Sequence, residues 1–126
     1  LVQEMAAPGV EIIIGVTNDK QFGPMLLVGL GGIYVEVFKD AALYPVPLNK
    51  GEAMNMLKSL KSYKMLTGYR GSAPCDLDAL TDMMVKIANY AYEHKDEIKE
   101  MDLNPVFVYP EGQGVCAVDA LIVKYR

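Results

Sequence analysis

The sequence lacks several features that would place it in a specialised class of protein. Its 126 residues include no tryptophan, one histidine and two cysteines, Cys75 and Cys116, which show neither a CxxC motif nor zinc-ligand spacing. We therefore expect reduced thiols in a cytoplasmic protein. No apolar run approaches the ~18 residues of a membrane span and no signal peptide is visible, so no membrane association is expected. A net charge of −4 without a dense basic stretch argues against nucleic-acid binding.

The remaining composition is that of one globular domain. Hydrophobic residues make up 52% and charged residues 22%, at a length that can bury a core. β-branched strands come first, then two helices, then two more strands. This order predicts an α+β fold in which the helices pack on one face of a mainly antiparallel sheet. The chain opens at Leu1 without an initiator methionine, so we expect it to be a piece of a longer protein.

Local signals mark the elements of this fold. The predicted strands of the first half span residues 10–17, 25–29, 33–38 and 43–48. Pro45 and Pro47 restrict the last of these to an edge strand or an extended connector. Asn49 and Glu52 have the spacing of a helix capping box, and Asp76 is a favourable N-cap for a second, longer helix.

The last two predicted strands flank a Pro/Gly-rich cluster at 110–114, which is typical of a β-hairpin with a longer loop. The loop is centred midway between Asn104 and Asp119. An unbulged antiparallel pairing therefore places these two side chains opposite each other on one face. Strand alternation adds Asp102 to that face, followed toward the loop by apolar positions such as Val106.

Asp102, Asn104 and Asp119 thus form a cluster of oxygen-bearing side chains. Such a cluster favours a hard cation, because carboxylate and amide oxygens are the ligands that Mg²⁺ prefers. The alternative is that these residues only begin and end strands, and a one-residue bulge would disturb the pairing. Spacing alone leaves both interpretations open.

Other polar positions allow a functional and a structural interpretation. The segment 29–32, Gly-Leu-Gly-Gly, lacks the following helix and the Lys-Ser/Thr pair of a phosphate loop, so we expect a tight turn or a close backbone contact. Glu11 and Glu36 interrupt apolar strands and face either solvent or a ligand. Arg70, in a glycine-flanked loop, binds a phosphate or anchors its own loop. His94 is expected to be solvated at a helix end.

Seven short motifs occur in order along the chain. They are Leu1-Val2-Gln3-Glu4-Met5, Gly9-Val10-Glu11, Gln21-Phe22-Gly23-Pro24, Gly29-Leu30-Gly31-Gly32-Ile33-Tyr34-Val35-Glu36, Gly68-Tyr69-Arg70-Gly71, Asp102-Leu103-Asn104-Pro105 and Val118-Asp119-Ala120. As a set they resemble the C-terminal lobe of the ATP-grasp domain in NDP-forming acyl-CoA synthetases, such as ADP-forming acetate–CoA ligase. Succinyl-CoA synthetase β chains are similar at a greater distance. The resemblance covers essentially all of the chain.

The resemblance implies a nucleotide site for ATP or ADP. Gln3, Glu4 and Met5 match the hinge strand that meets the adenine, and Glu11 matches the strand glutamate that faces the nucleotide. Arg70 remains a possible phosphate ligand.

The resemblance also implies a metal site and a reaction. Asn104 and Asp119 match the pair that binds Mg²⁺ on the nucleotide phosphates, with Asp102 close by. Members of the family convert an acyl-CoA, ADP and phosphate reversibly into the free acid, CoA and ATP, through an acyl phosphate and a phosphohistidine. No residue here is assigned a catalytic role, since His94 does not match the phosphorylated histidine.

The implied partners are the N-terminal ATP-grasp lobe and the CoA-binding and ligase domains or subunit of the same enzyme, in a hetero- or homo-oligomer. We therefore expect this chain to be inactive alone. Two other functions stay open. One is a regulatory, non-catalytic copy of such a domain in a protein lysine acetyltransferase. The other is an α+β interaction module that does not bind nucleotide.

Overall fold

The computed structural model describes residues 10–31, 40–68 and 73–125, which form one antiparallel sheet with helices against it. Its elements are β1 (Val10–Asp19), β2 (Gly23–Leu30), β3 (Ala41–Pro45), α1 (Lys50–Lys58), a short 3-10 helix (Tyr63–Leu66), α2 (Leu77–Glu93), β4 (Ile98–Val108), β5 (Val115–Ala117) and β6 (Ala120–Lys124). The predicted α+β class is confirmed. The predicted strand 33–38, with Glu36, lies outside the described residues.

The strands follow the order β3-β2-β1-β4-β5, and β6 also pairs with β4. β1 lies in the middle because its β-branched residues suit a strand with neighbours on both sides. Among the strands that the structure describes, β3 lies at one edge, as its proline predicted, since Pro45 has no N–H to donate to a further strand.

Both helices begin where the sequence places their caps. The Asn49 side chain accepts from the backbone N–H of Glu52 at 2.8 Å, and the Glu52 carboxylate accepts from the N–H of Asn49 at 3.0 Å. This reciprocal capping box starts α1. Asp76 caps α2 by accepting from the N–H of Ala79 at 3.1 Å. Both predicted caps are confirmed.

The core lies between the sheet and the two helices. Alternate residues of β1 and β2 point into the core from the sheet, and apolar residues of the two helices fill it from the other side. Its fully buried side chains include Ile12, Ile14, Leu26, Val28, Met56, Leu57, Leu80 and Met84. The opposite side of the sheet, here called the open face, carries half-exposed residues such as Ile13 and Leu27. Within residues 10–31, 40–68 and 73–125, no helix has both the length and the apolar character that crossing a bilayer requires.

β4 carries one extra residue relative to β1. Ile12 pairs with Val106 and Ile14 pairs with Leu103, so two steps along β1 match three along β4. This β-bulge lets both Leu103 and Val106 reach the core, although strict alternation would separate them. Asn104 lies between them and is exposed. The expectation that Val106 shares a face with Asn104 was therefore wrong, because the bulge reverses the alternation.

Candidate functional site

The final hairpin has the register that its loop predicted. Val106 lies opposite Ala117, and β6 continues the same register with Leu103 opposite Ala120. Between these two stretches the backbone N–H of Asn104 donates to the carbonyl of Asp119 at 3.3 Å. The bulge in β4 faces β1 and leaves this pairing intact. The predicted backbone register, with Asn104 opposite Asp119, is confirmed.

The predicted metal ligands are all exposed. Asp119 accepts the N–H of Ala120 at 2.9 Å through one carboxylate oxygen. Asp102 lies opposite Leu121 in the same pair of strands. Among the residues that the structure describes, no three His, Cys, Asp or Glu side chains form a metal-binding group. A cation here would need the Asn104 amide together with phosphate or water oxygens, which is the mixed set that Mg²⁺ commonly uses.

A hollow of about 320 Å³ lies on the open face beside Asp102. Its lining is mainly apolar and includes Ile13, Gly15, Thr17, Leu27, Glu100, Asp102, Leu121 and Val123. The volume is at the lower end of the range for small-molecule sites. Two carboxylates, those of Glu100 and Asp102, contribute negative charge, so the hollow suits a ligand that has an apolar part and brings a cation.

Glu11 lies at the other end of the open face. It is half-buried in β1, opposite Phe107 of β4, and its carbonyl accepts the N–H of Gly31 at 2.8 Å. Glu11 thus lies directly against the glycine segment. Gly29 in that segment lies against the chain itself, since a Cβ there would be 2.8 Å from the carbonyl oxygen of Asp40. This contact supports the structural interpretation of the glycine segment.

Four predicted site residues lie outside the described residues, so their roles stay predictions. They are Gln3, Glu4, Met5 and Arg70. His94 ends α2, where its ring stacks on Tyr90 with the centroids 4.2 Å apart. This helix-end position is the one expected for it.

Asp76 makes a contact that sequence reasoning missed. Its carboxylate caps α2 and also accepts the N–H groups of Gly112 and Gly114, at 3.2 and 2.8 Å, in the loop between β4 and β5. Hydrogen bonds from the N–H groups of Ala79 and Gly114 hold the pKa of Asp76 below its usual value, so it stays ionised at neutral pH. The only sequence signal was the pair of loop glycines.

Comparison with known proteins identifies the family. The family model of the ATP-grasp domain matches residues 1–123. The chain belongs to the ATP-grasp domain family. Subunit beta of the ADP-forming acetate–CoA ligase II of Pyrococcus furiosus is 47% identical over 123 residues, which are 98% of this chain and 52% of that subunit. The ADP-forming acetate–CoA ligase of Methanocaldococcus jannaschii is 48% identical over 114 residues, 90% of this chain and 16% of that ligase.

Two solved structures share the fold. PH1788 from Pyrococcus horikoshii superposes with a TM-score of 0.90 at 46% identity, over 94% of this chain and 50% of that one. The dinucleotide-forming acetyl-coenzyme A synthetase 1 of Ca. Korarchaeum cryptofilum, in complex with coenzyme A and Mg-AMPPCP, gives a TM-score of 0.87 at 44% identity, over 94% and 55%. This ATP-grasp chain thus spans about half the length of the subunit relatives it matches and less of the multidomain ones.

Proposed function

We propose that this chain supplies one lobe of a Mg·ATP or Mg·ADP site in an ADP-forming acid–CoA ligase. The observation that carries the proposal is the backbone pairing of Asn104 with Asp119 within a member of the ATP-grasp family. That pairing places the amide-bearing Asn104 of β4 next to the carboxylate-bearing Asp119, which lies between β5 and β6. The naming of the relatives as ADP-forming acetate–CoA ligases supports the wider activity.

Asn104 and Asp119 are the proposed ligands of Mg²⁺, with Asp102 next to them. Both are exposed, so a nucleotide can reach a cation held there. When bound, Mg²⁺ would neutralise charge on the phosphates, which is most of what phosphoryl transfer needs from its site. Without the cation, the carboxylates of Asp102 and Asp119 would repel the phosphates. Nucleotide binding should therefore depend on the metal.

The remainder of the proposed site follows the open face and the residues before it. Glu11 faces the nucleotide, Gln3, Glu4 and Met5 meet the adenine, and Arg70 binds a phosphate. The second wall of the site comes from the N-terminal ATP-grasp lobe, and the CoA-binding domains come from the same chain or a partner subunit. The complex of the Korarchaeum relative with Mg-AMPPCP and coenzyme A supports the binding of a Mg²⁺-nucleotide and coenzyme A by the proposed enzyme.

Calorimetric titration tests the proposal on the protein that includes this chain and the ~100 residues of a preceding lobe. Mg·ATP or Mg·ADP should bind, and removal of Mg²⁺ with a chelator should abolish binding. Asp119→Asn should weaken the affinity for Mg²⁺-nucleotide at least tenfold, because it removes a charged metal ligand. The matched control is Asp96→Asn, which removes the same charge from an exposed turn and should change the affinity less than twofold.

Three outcomes separate the candidate functions. Conversion of ATP, acid and CoA into ADP, phosphate and acyl-CoA by the full-length protein supports the ligase. Nucleotide binding without turnover indicates the regulatory copy instead. The proposed site is contradicted if no nucleotide binds. It is also contradicted if the nucleotide affinity changes neither on removal of Mg²⁺ nor in Asp119→Asn.

A further inference from the structure

The loop between β4 and β5 is attached to the segment that precedes α2. The N–H of Asp76 donates to the carbonyl of Tyr109 at 2.8 Å, and the N–H of Glu111 donates to the carbonyl of Pro74 at 2.9 Å. These backbone contacts place the start of α2 against the loop. The N–H groups of Gly112 and Gly114, farther along the loop, have a different acceptor.

The Asp76 carboxylate is that acceptor, and its two oxygens serve different elements. Oδ1 caps α2 through Ala79, whereas Oδ2 accepts from both Gly112 and Gly114. Both glycines have a φ in the left-handed region, +86° and +83°, which glycine adopts readily. Asp76 is only 8% exposed, and its charge-assisted hydrogen bonds to the loop are partly buried.

The strand after this loop is short and has a single partner strand. β5 has three residues, and in the described sheet both β5 and β6 pair with β4 alone. Gly114 is the residue directly before β5, and Asp119 follows β5 by two residues. A slip of one residue in this pairing would move Asp119 to the other side of the sheet.

We propose that Asp76 is a positioning residue for the proposed nucleotide site, holding the β4–β5 loop so that Asp119 stays opposite Asn104. It is not a metal ligand. The five residue steps from Gly114 to Asp119 span about 16.5 Å at ~3.3 Å per step, so the effect of Asp76 reaches the site through the strand. This inference rests on the proposed function.

The variant that separates the two roles of Asp76 is Asp76→Asn. Asparagine caps helices about as well as aspartate, so α2 can keep its cap. The atom that faces Gly112 and Gly114 then becomes an NH₂ group, which cannot accept their N–H groups. The control is Asp78→Asn, which removes the same charge from the first turn of α2 at an exposed position.

The measurements use the full-length protein at a temperature where circular dichroism shows all variants folded. Asp76→Asn should raise at least fivefold the Mg²⁺ concentration that gives half-maximal nucleotide binding, and Asp78→Asn should change it less than twofold. Hydrogen exchange at the amides of Gly112 and Gly114 should become at least tenfold faster only in Asp76→Asn.

The readouts distinguish failure of this inference from failure of the proposed function. Wild-type protein that does not bind Mg²⁺-nucleotide defeats the proposed function, and the positioning role falls with it. If the wild type binds and Asp76→Asn speeds loop exchange without changing the Mg²⁺ dependence, Asp76 is a structural anchor only. Equal shifts in Asp76→Asn and Asp78→Asn would assign the effect to net charge, and that too overturns the inference.

Discussion

Gly29→Ala should destabilise the protein, because β2 has no room for a methyl group at this point. The added Cβ would lie 2.8 Å from the carbonyl oxygen of Asp40 and 3.3 Å from the Cβ of Ala41. Real Cβ atoms essentially never approach another atom closer than 3.0 Å, and the nearest atom here belongs to the backbone. The φ of Gly29 lies outside the left-handed region, so the cost is steric.

The expected loss combines two opposing effects. Overpacking of this kind typically costs about 1–3 kcal/mol. Alanine in a strand offsets part of the loss, since glycine is less favourable there by roughly 0.5–1 kcal/mol. The centres of these two ranges are about 2 and about 0.75 kcal/mol, so we expect the free energy of unfolding to fall by about 1 kcal/mol.

Urea denaturation of wild type and variant measures this change, provided that the dependence on urea, m, is the same for both. Gly51→Ala is the matched control. Its Cβ, in the first turn of α1, would meet only the Asn49 Oδ1 at 3.4 Å, so the same substitution should be neutral or stabilise by up to about 1 kcal/mol. Opposite signs at the two glycines are the expected result.

Equal stability of Gly29→Ala and wild type would refute the reasoning. Loss of nucleotide affinity in Gly29→Ala without loss of stability would instead restore the phosphate-loop interpretation of the glycine segment.

Two further predictions concern helix α1 and the turn that follows it. Asn49→Ala should lower the free energy of unfolding by about 0.5–2 kcal/mol, because it removes the capping box. The control Asn55→Ala, at an exposed position of the same helix, should be neutral or stabilising. Urea denaturation measures both variants, and equal losses of stability would contradict the prediction. Burial raises the pKa of Asp40, but hydrogen bonds from the Ser62 hydroxyl and from the N–H groups of Lys61 and Ser62 outweigh this effect and hold the pKa below its usual value. As the pH falls, Asp40 is therefore protonated at a higher pH in the unfolded chain than in the folded one. The difference in free energy of unfolding between wild type and Asp40→Asn should be largest at pH 7 and should shrink below about pH 4, as acid denaturation of both proteins can show. A difference that stays constant down to pH 2 would contradict this pKa assignment.

Local rules in the sequence were sufficient to predict the helix starts and one part of the candidate site, the pairing of Asn104 with Asp119. Asn49 with Glu52, and Asp76, identify the helix starts because a cap acts on residues two or three positions away. The pairing of Asn104 with Asp119 could be predicted because a hairpin's register follows from the length and centre of its loop. The proline in β3 likewise predicted an edge strand, since it has no N–H to donate.

The tertiary structure alone decided which faces these residues occupy. The bulge in β4 exists relative to β1, a strand some ninety positions away, and it brings both Leu103 and Val106 into the core. The second oxygen of Asp76 meets Gly112 and Gly114, 36 and 38 residues later. Such contacts depend on how distant elements pack, and a local pattern carries no information on that packing. The sequence by itself therefore determined the elements, the caps and the hairpin, whereas the face that each strand residue presents was settled only by the assembled sheet.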